Sequence, residues 1–294
     1  MPKIALIGPG AIGGLVAGWL CQDKNNDVSI CVRTPVRRLR LSTPYGNFKA
    51  QPEILTEKHQ ASPVDWVMVT TKAYDSGSAA AWFPGLLDDD TQVAIIQNGV
   101  DHVDRFSAWL PRERILPVMI DCPTERVEPE KIQQRGAASM VVPDSTMGTA
   151  FTKLFAQTKI DVITDPDFLS VVWRKLCINA AGAVNALTLE PARIAHNPHA
   201  ASVMRTLVNE TIAVGRAEGA NLDDGLADEV IRIYQGQPAD SINSLHADRL
   251  AGRPMEIGLR NGVIVRLGRK HGISTPFNKM AVDLLESVSP TGPE

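Results

Sequence analysis

A glycine-rich stretch, two lysines and a scatter of amides are the parts of this sequence equipped for chemistry. Gly8-Pro9-Gly10-Ala11-Ile12-Gly13 has the G-x-G-x-x-G spacing of a loop that carries a dinucleotide. In such a loop Gly8 permits a tight turn and Gly10 lets the backbone approach a pyrophosphate seated on the helix N-terminus. Gly13 lets that helix pack close to a sheet, and Pro9, Ala11 and Ile12 complete the cofactor-facing backbone. About twenty residues further on, an NAD site usually places an Asp or Glu for the ribose hydroxyls. Here the sequence reads Cys31-Val32-Arg33-Thr34, with no carboxylate. Arg33 suits a 2′-phosphate, assisted by Thr34, Arg37 or Arg38, so the expected cofactor is NADP(H). The alternative is a solvated surface arginine.

Other candidates are nominated by position. Thr70-Thr71-Lys72-Ala73-Tyr74 and Gln97-Asn98-Gly99 each follow an apolar, β-branched run. Ligands of open α/β sheets lie beyond the carboxyl ends of the strands, which puts Lys72 and Asn98 on the edge where cofactor and substrate meet. Asn98-Gly99 is also a turn signature, and Lys72 also reads as a solvated lysine. Lys175 and Asn179, in Trp173-Arg174-Lys175-Leu176-Cys177-Ile178-Asn179, are four residues apart and share a helix face among residues that otherwise read as core. Desolvation lowers a lysine pKa, so a partly buried Lys175 suits a general acid that protonates an oxygen as hydride is delivered. A snorkelling lysine at a domain edge fits the same pattern. The last polar cluster is Ser241-Ile242-Asn243-Ser244, Asp248 and Glu256. Ser244 can bond a carboxylate, and Glu256 an ammonium or a ribose hydroxyl. Alternatively they are the N-cap and the first-turn acid of successive helices.

Composition narrows the field. With 30 Lys plus Arg against 33 Asp plus Glu, the net charge of −3 is too near neutral to attract a polyanion over the whole surface, and no nucleic-acid partner is expected. Cys21, Cys31, Cys122 and Cys177 are scattered without a C-x-x-C, as in a reduced cytoplasmic protein. The apolar stretch 4–21 after Lys3 mimics a signal peptide, but Gly8, Pro9, Gly10, Gly13 and Gly14 would break it. No other run reaches the ~18 apolar residues of a membrane span, so no membrane partner is expected. His196 and His199 flank Pro198 without a third ligand, so no metal is expected, and no Ser-His-Asp, Walker A or H-E-x-x-H pattern is present.

The elements that must position these residues follow from periodicity. Strands are expected at 3–7, 28–32, 66–70, 93–97 and 115–120, with helices at 11–22, 75–86 and 103–110, the alternation of a parallel, doubly wound sheet. Region 127–142 reads as extra, antiparallel strands, followed by a helix near 145–157. A turn at Asp165-Pro166 leads into a long helix over 168–189 with Gly182 inside it, and then into helices at 198–218, 224–234, 256–271 and 276–287. The expected class is α/β: a Rossmann-type dinucleotide-binding domain over 1–165 and an all-α substrate domain over 166–294. Apolar faces in the helical half suit a homodimer.

Taken in order and separation, these pieces resemble the ketopantoate reductase (2-dehydropantoate 2-reductase) family of the 6-phosphogluconate dehydrogenase-like superfamily. The resemblance covers almost the whole chain: Gly8-x-Gly10-x-x-Gly13, Arg33, Thr71-Lys72-Ala73, Gln97-Asn98-Gly99, Trp173-Arg174-Lys175 with Asn179, then Ser244, Asp248, Glu256 and Asn261-Gly262. It implies NADPH-dependent reduction of a 2-oxo acid, ketopantoate, to pantoate for pantothenate synthesis, with Lys175 as general acid. By the same resemblance Asn98 sits between nicotinamide and substrate. Asn179 and Ser244 bind the substrate, Lys72 and Arg33 the cofactor, and Glu256 lies at the cofactor ribose or beside Lys175. Cys122 lines the nicotinamide wall through its backbone.

The chain departs from the family on the substrate side. Ala183 stands where a second substrate asparagine is usual, Asn185 being the nearest substitute if Gly182 allows a bulge. The loop after Leu187-Thr188 lacks a further asparagine, and Gly258 replaces a frequent aspartate. Two alternatives therefore stand beside ketopantoate reduction: a reductase for another 2-oxo acid, and a noncatalytic NADP-binding sensor.

Overall fold

The first strand shows how the chain builds its sheet. Along Lys3-Ile4-Ala5-Leu6-Ile7, Ile4 and Leu6 enter one apolar cluster while Ala5 and Ile7 enter a second on the opposite face. Burial on both faces is the condition of a parallel sheet covered on each side. A computed structural model describes residues 1–290, so that 291–294, the end of the expected second domain, lie outside the described residues. The chain forms two compact units: Met1–Gln97 with Asp101–Phe168, and Asn98–Val100 with Leu169–Glu294.

The first unit is α/β. Its elements begin β1 (Lys3–Ile7), α1 (Ala11–Leu20), β2 (Asp27–Cys31), β3 (Leu39–Thr43), β4 (Gly46–Ala50), β5 (Glu53–Leu55), β6 (Trp66–Val69), α2 (Ser76–Ala80), α3 (Phe83–Leu86), β7 (Gln92–Ile95), α4 (His102–Phe106) and β8 (Ile115–Pro117). They continue with β9 (Met119–Asp121), β10 (Thr124–Glu128), β11 (Lys131–Gln134), β12 (Ala138–Pro143), α5 (Thr146–Leu154) and β13 (Ile160–Asp165). The main sheet is parallel throughout, in the order β5-β2-β1-β6-β7-β8, with Ile4 opposite both Val28 and Trp66. Strand order therefore reverses about β1, between β2 and β6, which is where open α/β sheets hold their ligands.

Several elements depart from the sequence expectation for local reasons. The strand expected over 115–120 is two: Pro117 has no N–H to continue a ladder, so β8 stays in the main sheet and β9 joins a three-stranded sheet, β13-β12-β9. Pro84 likewise divides the helix expected over 75–86 into α2 and α3, and α4 covers only the start of 103–110. The hairpin β3-β4 lay outside the expected strands. It extends into the four-stranded sheet β10-β11-β3-β4, where β11 runs parallel to β3 and antiparallel to β10. β13, at the end of the expected first domain, pairs parallel with β12.

The second unit is helical: α6 (Phe168–Ala181), α7 (Ala183–Thr188), α8 (Pro198–Ala217), α9 (Leu226–Gln235), α10 (Ser244–Leu250), α11 (Asn261–His271) and α12 (Pro276–Val288). The helix expected over 168–189 breaks at Gly182 into α6 and α7, and the helix expected from Glu256 begins only at Asn261, after a short 3-10 turn at Ile257–Leu259. No helix among the described residues is long and apolar enough to cross a membrane. α6 is anchored by Trp173, whose ring lies so close to α8 that a Cβ at Gly215 would sit 2.8 Å from it and 2.8 Å from Leu222. Gly215→Val should therefore displace the Trp173 ring and destabilise the protein by about 1–3 kcal/mol, measured by urea unfolding; an unchanged midpoint would show that this packing gives way freely.

Candidate active site

In the first unit, the glycine loop is held by a threonine. Gly8 has φ +89, which only glycine adopts readily, and Thr70 Oγ1 donates to the carbonyl oxygens of Ile7 and Gly8 at 3.0 and 2.8 Å. A Cβ at Gly13 would lie 2.3 Å from Thr70 Oγ1 and 2.4 Å from Gly8 O, so α1 packs against β1 and β6 at glycine distance. A Cβ at Gly10 meets nothing nearer than Gly8 O, at 4.0 Å. Gly10 is the N-cap of α1, no side chain caps the helix, and its first N–H groups have no partner within the helix. Close packing at Gly13 beside open space at Gly10 fits a pyrophosphate on the helix N-terminus, with Pro9, Ala11 and Ile12 alongside.

Around this loop the remaining first-unit candidates differ in burial. Arg33 follows β2 with its side chain 83% exposed and Asp75 Oδ2 at 4.0 Å. Lys72 is the N-cap of a 3-10 turn, Ala73–Asp75, and is partly buried. Cys122 follows β9 and packs in part against the core. None of the four cysteines forms a disulfide, and burial pushes the thiols of Cys31 and Cys177 up to about 12.

Gln97 ties the Lys72 loop to α4. Its Nε2 donates to Thr71 O at 2.9 Å and to Thr71 Oγ1 at 3.1 Å, its Oε1 accepts from Arg105 Nη1 at 2.7 Å, and its carbonyl accepts from His102 Nε2 at 2.7 Å. Burial, helped by the nearby Arg105 charge, pushes His102 down to about 4, so the ring is neutral and gives its proton to Gln97 O.

The second unit gathers a set of amides. Asn98, though it directly follows Gln97, packs with the helical unit, where its Nδ2 donates to Glu256 Oε2 at 3.1 Å. Glu256 is buried and precedes the 3-10 turn, rather than supplying the first-turn acid of a long helix. Lys175 and Asn179 lie on α6, both partly buried, and Asn179 Oδ1 accepts from Arg260 Nη2 at 3.1 Å. Ser244 is exposed and opens α10, but it is not the cap: Asn243 Oδ1 accepts from His246 N, and Asn243 Nδ2 donates to Gly182 O at 3.1 Å. Asp248 is buried and accepts from Arg253 Nε at 2.9 Å.

The comparisons with known proteins bear on this arrangement. The family described as ketopantoate reductase PanE/ApbA matches residues 4–146, and its C-terminal counterpart matches 167–289. The chain belongs to the ketopantoate reductase family. It is 50% identical to the 2-dehydropantoate 2-reductase of Caulobacter vibrioides over 289 residues, which is 98% of this chain and all of that one. A ketopantoate reductase of Ralstonia eutropha superposes with a TM-score of 0.89 at 28% identity, covering 97% of this chain and 98% of its own. D-mandelate dehydrogenase, solved with NADH and anilino(oxo)acetate, shares the fold with a TM-score of 0.86 at 22% identity, covering 97% of each chain. Ketopantoate reductases are nicotinamide-dependent oxidoreductases, and the open α1 N-terminus fits that cofactor class.

Within this ketopantoate reductase family member, the departures on the substrate side have structural sequels. Ala183 is fully buried and presents no polar group. The break at Gly182 redirects Asn185 inward, where it is 1% exposed and donates to Glu190 O at 3.0 Å. A Cβ at Gly258 would meet nothing within 4 Å. Sequence reasoning passed over two polar partners, Tyr234 and Arg260, and named Asn243 in the last polar cluster without giving it a role. Of these, Arg260 had a visible signal, as a charge just before Asn261-Gly262 in an apolar run.

Two predictions follow from the first unit. Gly10→Ala should leave the melting temperature nearly unchanged yet weaken binding of the nicotinamide dinucleotide about tenfold or more, whereas Gly13→Ala should cost about 1–3 kcal/mol of stability; the reverse pattern would remove the pyrophosphate from Gly10. For His102, the depressed folded-state pKa means that its neutral form favours folding fully above pH 6.5 and that this is lost as pH falls from 6.5 through about 4. The loss is on the order of 3 kcal/mol, read as unfolding free energy against pH. His102→Asn, which keeps a donor but does not titrate, should flatten that slope, and parallel profiles would contradict the assignment.

Proposed function

We propose that this protein reduces 2-dehydropantoate (ketopantoate) to pantoate with NADPH, in the cytoplasm, as a step of pantothenate synthesis. The observation that carries the reading is the pairing of Asn98 with buried Glu256 in the unit that also places Lys175 and Asn179 on one helix. The 50% identity to a 2-dehydropantoate 2-reductase over the full chain supports it. NADPH, when bound, supplies the hydride for the C2 keto carbon. On this reading Gly8 to Gly13 and Lys72 hold the cofactor, Cys122 lines its wall, and Arg33 with Thr34 receives the 2′-phosphate.

Lys175 holds the proton that the carbonyl oxygen takes up, neutralising charge as it develops. Asn98 and Asn179 fix the orientation of the carbonyl and hydroxyl groups, and exposed Ser244 bonds the carboxylate. Glu256 orients Asn98 and contributes to catalysis through it. The pairing of Arg33 with Asp75 at 4.0 Å is loose enough to yield to a phosphate. One face of α12 exposes Met280, Leu284 and Val288, four residues apart, and this apolar stripe supports a homodimer.

A second reading, reduction of a different 2-oxo acid, is favoured by buried Ala183 and by Gly258 where the family has polar groups. The test is loss of reduced-nicotinamide absorbance with NADPH or NADH against ketopantoate, pyruvate and 2-oxoisovalerate. Rapid oxidation with NADPH and ketopantoate is expected. Preference for another acid would support the second reading, and tight NADPH binding without turnover would support a sensor. Lys175→Ala should lower kcat by about 10² to 10⁴ with NADPH affinity nearly unchanged; equal loss of both would refute the proton-donor role. Arg33→Ala should weaken NADPH by about tenfold or more and leave NADH unaffected.

A further inference from the structure

The amide of Asn179 meets a guanidinium, and that fixes which way it faces. Arg260 Nη2 lies 3.1 Å from the Asn179 side chain, and because a guanidinium has donors only, the atom facing it is the oxygen. Both N–H groups of Asn179 therefore turn away from Arg260.

Arg260 is an expensive residue to keep for stability alone. It is 2% exposed, and its Nε and Nη1 are buried without hydrogen bonds. Unmatched buried donors destabilise a fold, and an apolar side chain of similar volume would avoid that loss. The surroundings are nonetheless shaped around it. A Cβ at Gly182 would lie 2.5 Å from Tyr234 Oη, 2.8 Å from Asn243 Nδ2 and 3.3 Å from Arg260 Nη2, so the missing side chain at the helix break is what admits the guanidinium to α6. Tyr234 Oη donates to Ile178 O at 3.0 Å.

Arg260 also ends the turn that Glu256 begins. Glu256 takes the N–H side of Asn98, and Arg260 takes the oxygen side of Asn179. Two amides far apart in sequence are thus oriented oppositely by the two ends of one five-residue turn.

We propose that Arg260 is a positioning residue, which through Asn179 Oδ1 turns that amide so that its N–H groups are presented to the oxygens of the 2-oxo acid. The inference rests on the reading of Asn179 as a substrate ligand. It also accounts for the tolerance of Ala183: with the second amide gone, the remaining one is held in its donating orientation by a charge-assisted bond.

The experiment is a double-mutant cycle of Arg260→Met and Asn179→Ala, with kcat and KM measured on the 2-oxo acid that the wild type turns over and NADPH affinity measured separately. Arg260→Met should raise the KM for the acid about tenfold while leaving NADPH affinity within about twofold. In the Asn179→Ala background the same substitution should change KM by less than about twofold, because the group it acts through is gone. Arg260→Lys, which keeps a cationic donor, should recover most of the loss. Should Arg260→Met fail to fold, Arg260→Gln enters the same cycle with the same non-additivity expected. Multiplicative losses, or a parallel loss of NADPH affinity, would overturn the positioning role and leave the substrate reading of Asn179 intact. An unchanged KM in Asn179→Ala alone would overturn that reading and the inference with it.

Discussion

The first unit depends on how closely α1 can approach the sheet. Contact at Gly13 leaves no room for a methyl group between the helix and either Thr70 Oγ1 or Gly8 O, and from that one approach much else follows. Thr70 is close enough to bond the carbonyls of the Gly8 turn, and that turn aims the open end of α1 at the switch point between β2 and β6. Thr71, the next residue, is bonded by Gln97. The glycine loop, the Lys72 loop and the end of β7 are thus one hydrogen-bonded assembly, and a change at its centre would be felt at each of its edges.

The second unit solves a different problem. Its polar side chains are buried among helices, where each amide must find a partner or lose stability. Helix carbonyls that accept a second bond, and one short turn, supply the partners. At the Gly182 junction, Gly182 O accepts from Asn243 as well as from Ala186 N, and Ile178 O accepts from Tyr234 as well as from Gly182 N. The turn before α11 carries Glu256 and Arg260 to Asn98 and Asn179.

What the sequence made legible was what is decided locally. The G-x-G-x-x-G loop could be read because each glycine answers a separate local demand, and the parallel strands because burial on both faces leaves uninterrupted apolar runs. Lys175 and Asn179 were legible as a pair because four residues on a helix return to the same face. The breaks at Pro84 and Pro117 had visible causes, yet apolar periodicity outweighed them. The hairpin β3-β4 was hidden by its modest apolar content, its inward residues being essentially Leu39, Leu41 and Ala50. The partnerships of Asn98 with Glu256 and of Asn179 with Arg260 span 158 and 81 residues. No local spacing encodes a contact of that range, and only the folded chain displays it.

The burial of Ala183 limits what can be grafted there. An asparagine placed there now would enter a site with no exposed surface, where its amide would have to be desolvated. The amide that the family resemblance calls for at this position cannot simply be restored by one substitution. Positions in contact need not respond additively, so residues transplanted singly from a relative into this region are expected to behave differently here than in their own background.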